Sequence, residues 1–241
     1  MTAVFISDLH LHGDRPEAIE AFKGFLRDLP ERASVLYILG DLFEFWIGDD
    51  APLPAYVDVL EALRRACAAG LPVYFMHGNR DFLIGARFEQ ATGCRILPDP
   101  TVIEIGDEPV LLMHGDTLCT DDTDYQQFRR QVRDPQWQQV FLGQPLEKRI
   151  EIARFYRGES LKRTSEKSME IMDVAQPAVE EAMAGHQVRY LVHGHTHRPA
   201  IHDFNLQGRP AQRIVLGDWY DQGSMLEWTD SGLELKTLAL T

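Results

Sequence analysis

The sequence predicts an α/β fold in which mixed β-sheets are sandwiched between helices. Three observations predict it. Short runs rich in Val, Ile, Leu, Phe and Tyr alternate with helical patterns over the first hundred residues, in the order β-α-β-α-β-α. The last third is strand-rich, which calls for a second sheet. The length of 241 residues, 44% of them hydrophobic, suits one large domain over 1–241 carrying an inserted piece.

The expected strands cover 3–7, 35–39, 72–76, 101–105, 109–113, 189–192, 213–216, 223–228 and 233–238. Each combines β-branched or aromatic residues with Gly, Asn or Asp punctuation. Helices are expected over 16–28, 55–69 and 82–92. Pro16 suits a first helical turn, and Gly70 and Gly93 suit stops.

Residues 122–184 break the alternation and read as helical. Tyr125, Phe128 and Val132 fall at i, i+3 and i+7. Pro135 opens a second segment with Trp137, Val140 and Phe141, which the Gly143-Gln144-Pro145 turn ends. A third segment, 146–156, ends at Gly158, and the helical pattern resumes over 165–183. Within 129–167 there are 10 Lys/Arg and 5 Asp/Glu, in a chain whose net charge is −13. A basic helical insert on an acidic body suggests an anion-facing surface, although a solvated helical face would carry the same charges.

Several classes fall away. The acidic balance argues against a nucleic-acid binder, which needs a basic footprint. No uncharged apolar run approaches the ~18 residues of a membrane span. The start, Met-Thr-Ala-Val-Phe-Ile-Ser-Asp, lacks the basic and apolar regions of a signal peptide. Cys67, Cys94 and Cys119 are odd in number and at no motif spacing, so they read as reduced thiols of an intracellular protein.

The chemistry lies in five motifs, each following an expected strand: Asp8-Leu9-His10, Gly40-Asp41, Gly78-Asn79-Arg80-Asp81, His114-Gly115-Asp116 and Gly194-His195-Thr196-His197. Sites in open α/β sheets form beyond the carboxyl ends of strands, so these motifs are expected to converge. Asp, His and Asn suit Mn²⁺, Fe²⁺ or Zn²⁺. Asp8, His10, Asp41, Asn79, His114, His195 and His197 exceed what one four-coordinate zinc needs. They suit two metals ~3.5–4 Å apart, with Asp41 as the bridge. Singly each motif has a plainer reading: a strand-end Asp is more often a helix cap, and Gly-Asn more often a turn. The ordered set carries the inference.

That set resembles the calcineurin-like metallophosphoesterases along nearly the whole chain. The resemblance implies a four-layer α/β/β/α sandwich and a dinuclear centre. One metal would take Asp8, His10, Asp41 and His197, the other Asp41, Asn79, His114 and His195. This sequence departs from the common pattern in having Arg80 where the family often has His after Gly-Asn. Arginine cannot donate a proton at neutral pH but clamps phosphate oxygens, which suits a good leaving group.

Four longer stretches, 40–50, 77–85, 112–120 and 193–199, look like those of the UDP-2,3-diacylglucosamine pyrophosphohydrolase family of lipid A biosynthesis. This implies hydrolysis of UDP-2,3-diacylglucosamine to UMP and 2,3-diacylglucosamine 1-phosphate with two Mn²⁺ per chain. It implies attack by metal-activated hydroxide on the uridine-side phosphorus, and Asn79, Arg80 and His195 as catalytic residues. It also implies a peripheral place on the cytoplasmic face of the inner membrane. The substrate head would be met by Asn79, Arg80, Asp122, Ser160, Thr164, Lys167 and His195. The insert over 122–167 would act as a lid, its apolar residues taking the acyl chains. Arg129, Arg130, Arg133, Lys148, Arg149, Arg154 and Arg157 are available for anionic lipid. No protein partner is inferred. Rival readings are a phosphoesterase of soluble nucleotides, which needs no acyl groove, and a scaffold, which would tend to have lost ligands.

Overall fold

The structure, a computed structural model, describes residues 1–166 and 173–240, with side chains for all of these except 160–166. Its first sheet has the order β11-β10-β1-β2-β3-β4 and its second β5-β6-β7-β9-β8. In the first, β1 (Thr2–Ile6), β2 (Val35–Leu39), β3 (Val73–Met76) and β4 (Arg95–Leu97) run parallel. The hairpin of β10 (Gly223–Thr229) and β11 (Gly232–Leu238) closes one edge. In the second, β6 (Glu108–Met113), β7 (Tyr190–His193) and β9 (Arg209–Val215) run parallel. They are flanked by antiparallel β5 (Thr101–Ile105) and β8 (Ala200–Leu206).

Side-chain alternation along the strands sorts the layers. Ala3, Phe5, Val35 and Leu39 face Val110, Leu112, Val192 and Ile214 between the sheets. Their neighbours Val4, Ile6, Leu36 and Ile38 turn the other way, onto α1 (Pro16–Asp28) and α2 (Val57–Ala68). Leu111, Met113 and Leu191 pack against Val179 and Met183 of α7 (Gln176–Gly185). The result is the four-layer α/β/β/α sandwich. Among the described residues, no helix is long and apolar enough to cross a membrane.

The differences from the expected elements have local causes. The third helix, α3, covers Ala86–Thr92 instead of starting at 82. The carboxylate of Asp49, from a distant loop, accepts from the backbone N–H groups of Gly85, Arg87 and Phe88 and so sets the first turn. Strand β8 was not expected, because Ile201-His202-Asp203 lacks apolar alternation and lies exposed at a sheet edge. It is joined to β9 by Gln207-Gly208, both at positive φ, as a tight hairpin requires. Strand β4 was also not expected; it is only three residues long.

Between β6 and α7 lie α4 (Thr123–Arg133), α5 (Pro135–Leu142) and α6 (Leu146–Glu166). Asp122 caps α4 through the Tyr125 N–H, and Asp134 caps α5 through those of Gln136 and Trp137. Such caps are worth about 1 kcal/mol each. Helix α6 does not stop at Gly158 but runs through it. A mid-helix glycine costs only about 1 kcal/mol, and packing of Tyr156 on Phe128 and Trp137 opposes that. The helix expected over 165–183 is replaced by α7, which starts at Gln176 after a non-helical 173–175. Residues 167–172 of that expectation lie outside the described residues.

Candidate metal centre and active site

All five motifs lie just past the carboxyl ends of parallel strands. Asp8 and His10 follow β1, Asp41 follows β2, Asn79 follows β3, His114 follows β6, and His195 and His197 follow β7. Parallel strands in two facing sheets end at one rim, so residues far apart in sequence meet there. The fit is tight enough to dictate glycines. A Cβ on Gly78 would strike the Asp41 carboxylate, and one on Gly194 would strike Asp8 and Ser7. Backbone strain gathers at the same place. Seven non-glycine residues among those described have positive φ; Asp8, His10, Asp41, His195 and His197 are five of them, and Gln187 and Gln207 are the others. Left-handed backbone costs an ordinary residue roughly 1–2 kcal/mol, so the fold must hold these positions by force of surrounding structure.

The donor atoms converge. Ligand atoms of Asp8, His10 and His197 lie within 4.8 Å of one another, and so do those of Asp8, Asp41 and His114. His10 Nε2 faces His197 Nε2 at 3.2 Å. Asp41 turns one oxygen each way, Oδ2 at 3.8 Å from His10 Nε2 and Oδ1 at 3.9 Å from His114 Nε2. One end of the Asn79 amide lies 3.0 Å from His114 Nε2 and 2.9 Å from His195 Nδ1. Arg80 Nε stands 3.3 Å from the other end.

The imidazoles are aimed by what their outer nitrogens touch. His10 Nδ1 lies 3.2 Å from Glu44 Oε2, His197 Nδ1 3.3 Å from Asp218 Oδ2, and His114 Nδ1 donates to Leu39 O at 2.8 Å. His114 is held in this way by a hydrogen bond, Glu44 and Asp218 are the carboxylates beside the outer nitrogens of His10 and His197, and in all three rings Nε2 faces inward. His195 is reversed, with Nδ1 toward Asn79. Asp8 Oδ1 is buried and makes no hydrogen bond; it looks onto His197 Nε2 at 3.3 Å. Three inward nitrogens, two carboxylates and an amide in one buried cluster fit divalent cations of the Mn²⁺, Fe²⁺ or Zn²⁺ type.

The electrostatics agree. Burial, the largest single influence, would depress His114 and His197, but the carboxylates together outweigh it: Asp41, Asp8 and Asp116 at His114, and Asp8 and Asp218 at His197. His114 is held at about 9 and His197 at about 10. Burial and the charge of His114 push His195 down to about 4. Asp8 is held far below the usual carboxylate range, since the histidines overcome its burial. Without a bound cation the cluster is a proton trap, and a cation must displace those protons.

The sequence reading did not assign roles to Asp81, Glu44, Asp218 or Tyr125. Asp81 accepts from the backbone N–H of Leu42 at 2.8 Å and of Gly78 at 2.9 Å, tying the Asp41 and Asn79 loops together. Its place in Gly-Asn-Arg-Asp was the available signal. Asp116 is engaged by the insert. It accepts from Tyr125 Oη and Arg129 Nε, both at 2.7 Å.

Beside the cluster lies a cavity of about 320 Å³. Asn79, Arg80 and Asp122 line it with Arg129, Arg133, Arg157 and Glu159, and its aromatic lining includes Trp46, Phe82, Phe128, Trp137, Phe141 and Tyr156. Ser160 and Thr164 lie on α6, with side chains outside the described set, and Lys167 lies outside the described residues altogether.

Among the described residues, most cations of the insert are engaged by neighbouring groups rather than left in solvent. Arg129 pairs with Asp116, Arg149 with Asp50 at 2.6 Å, and Arg157 with Glu44, while Arg133 donates to Gly78 O at 2.9 Å. Lys148 pairs with Glu151 on its own helix. Arg130 and Arg154 are exposed. Carboxylates and carbonyls in the loops below are closer partners than solvent, so the arginines turn inward.

A family model of the calcineurin-like phosphoesterases matches residues 1–199. A UDP-2,3-diacylglucosamine hydrolase of Stenotrophomonas maltophilia (strain K279a) is 52% identical, covering 99% of both chains. Those of Enterobacter sp. (strain 638) and Pseudomonas entomophila (strain L48) are 50% and 51% identical over 98% and 96% of this chain and 98% and 97% of their own. The chain belongs to the calcineurin-like phosphoesterase family and, within it, groups with the UDP-2,3-diacylglucosamine hydrolases. It is a hydrolase.

Proposed function

We propose that this protein cleaves the pyrophosphate bond of UDP-2,3-diacylglucosamine, releasing UMP and 2,3-diacylglucosamine 1-phosphate in lipid A biosynthesis. The single observation that carries this is the cavity, which is lined both by Asn79 and Arg80, suited to phosphate, and by a group of aromatic side chains. A soluble nucleotide would leave those side chains in water. The similarity to hydrolases of this substrate, over almost the full length, supports the same choice.

Asp8, His10, Asp41 and His197 would hold one Mn²⁺, and Asp41, Asn79, His114 and His195 a second. Bound there, the cations supply Lewis acidity toward phosphoryl oxygens and lower the pKa of water. The chain's own residues do the rest. Arg80 grips the phosphate oxygens and carries charge without exchanging a proton. Asn79 and His195 stabilise the oxygens of the group under attack, which is the uridine-side phosphate. The departing sugar phosphate needs little protonation, so no acid is required where other phosphoesterases have His. Asp122, Ser160, Thr164 and Lys167 would hold the sugar and phosphate head.

The insert over 122–167 acts as a lid, its aromatic face taking the acyl chains. Exposed Val140, Leu142, Leu146 and Phe155, with Arg130 and Arg154, would bring it to the cytoplasmic face of the inner membrane. Release of UMP from UDP-2,3-diacylglucosamine with Mn²⁺, compared with EDTA, tests the reaction. Metal-dependent release is the expected outcome; cleavage only of diadenosine tetraphosphate or cyclic AMP would contradict the substrate.

A further inference from the structure

Glu44 stands where the insert and the metal cluster meet. Backbone pairing carries it there. Beyond β1 and β2 the two loops continue side by side: His10 N donates to Asp41 O, Leu11 N to Leu42 O, and Glu44 N to Leu11 O. Leu11 and Phe43 form a parallel bridge in the same run. This register sets the Glu44 carboxylate against the His10 ring, Oε2 lying 3.2 Å from Nδ1. Oε1 is ion-paired with Arg157 of α6. The Glu44 side chain is only 11% exposed, and a carboxylate so buried is costly unless both oxygens are engaged. Tyr220 stacks flat on the His10 ring, with centroids 5.3 Å apart. The ring is therefore faced by Tyr220, while its buried Nδ1, which makes no hydrogen bond, has the Glu44 carboxylate as its neighbouring anion. Arg157 in turn lines the cavity.

We propose that Glu44 and Arg157 form a latch that positions His10 and makes metal affinity depend on where α6 sits. Both are positioning residues, since they act through His10. The inference rests on the reading that His10 helps to hold a cation. A filled groove that displaced Arg157 would loosen metal binding, and by linkage bound metal would oppose that displacement by the same factor. Simple electrostatics predicts the opposite sign, because deleting a cation near the site should tighten metal binding. The two effects can therefore be told apart.

The test is calorimetric titration of EDTA-stripped, full-length protein with Mn²⁺, for wild type, E44Q, R157M, R157K and the E44Q/R157M double variant. Loss of the outer carboxylate beside a metal-ligating histidine typically weakens metal affinity about 10–100-fold, which is the expectation for E44Q. R157M should weaken it about 5-fold or more, R157K should recover most of that loss, and the double variant should be no weaker than E44Q. R157M binding as tightly as wild type, or tighter, would overturn the latch while leaving the metal reading intact. Wild-type protein taking up no Mn²⁺ would overturn both. Arg157 is one-quarter exposed, so R157M keeps the test decisive even if E44Q fails to fold.

Discussion

The two walls of the site are built on opposite principles. On the sandwich side, the backbone does the positioning. Asp8, His10, Asp41, His195 and His197 are fixed at positive φ, against glycines that leave no slack. On the insert side, long side chains do it. Arg129, Arg133, Arg149 and Arg157 reach across to Asp116, Gly78 O, Asp50 and Glu44. Strained backbone resists displacement and suits donors that must keep fixed mutual distances. Arginine struts tolerate movement and suit a wall that must admit a bulky ligand.

The largest expected effect breaks the sandwich wall. Asp41→Ala removes the carboxylate that faces both His10 and His114, and metal-dependent hydrolysis should fall by ~10³-fold or more, read as kcat with saturating Mn²⁺. Next comes Arg80→Ala, at the join of the two walls. Losing a charge-assisted clamp on the transferring group should cost ~10²–10³ in kcat, with Arg80→Lys recovering only part of it.

The insert wall should respond differently. Trp137→Ala or Phe141→Ala, each of which breaks the stacked pair (centroids 5.2 Å apart), should raise KM for the acylated substrate by ~10-fold. Turnover of an acyl-free UDP-sugar should change much less. Equal losses on both substrates would mean the aromatic groove does not hold acyl chains.

Titration separates the metal-free from the metal-loaded wall. His114 and His197 are raised from 6.5 to about 9 and about 10 in the absence of metal. A raised folded-state value stabilises fully below pH 6.5, and that stabilisation is lost as pH rises through 9–10. Stripped protein should therefore lose Tm over this window. Mn²⁺ affinity should rise over the same window, because fewer protons must be displaced. A Tm of stripped protein that climbed between pH 7 and 9 would contradict the proton-trap description. The smallest effect is at the outer strut. Arg149→Met deletes hydrogen bonds to Ile47 O and to half-exposed Asp50, and should cost ~1–2 kcal/mol of stability by chemical denaturation.

The same contrast explains what could be read from sequence. The seven candidate ligands were legible because each sits in a short string after a strand, and the rule for parallel strands brings such strings together. The α/β class was legible from the β-α-β-α-β-α order of the first hundred residues, and the second sheet from the strand-rich last third. The struts were not. Arg149 and Asp50 are 99 residues apart, and nothing local selects Asp50 among 37 acidic residues. The start of α3 was missed for the same reason, since its cap comes from Asp49. Glu44 was in plain view beside Asp41, but its role depends on the register between two loops, which no composition reveals. Helical periodicity located the insert, and its net +5 over 129–167 pointed to an anion-facing surface, but composition did not show that Arg129, Arg149 and Arg157 pair with Asp116, Asp50 and Glu44.

The central claim is that one wall carries the chemistry and the other the lipid specificity. It is tested most directly by kcat/KM of the Mn²⁺-loaded wild-type protein on UDP-2,3-diacylglucosamine and on the same UDP-sugar without acyl chains. Burying even part of two acyl chains should favour the acylated substrate by ~100-fold or more, with both activities lost in EDTA. Equal kcat/KM on the two substrates would contradict it.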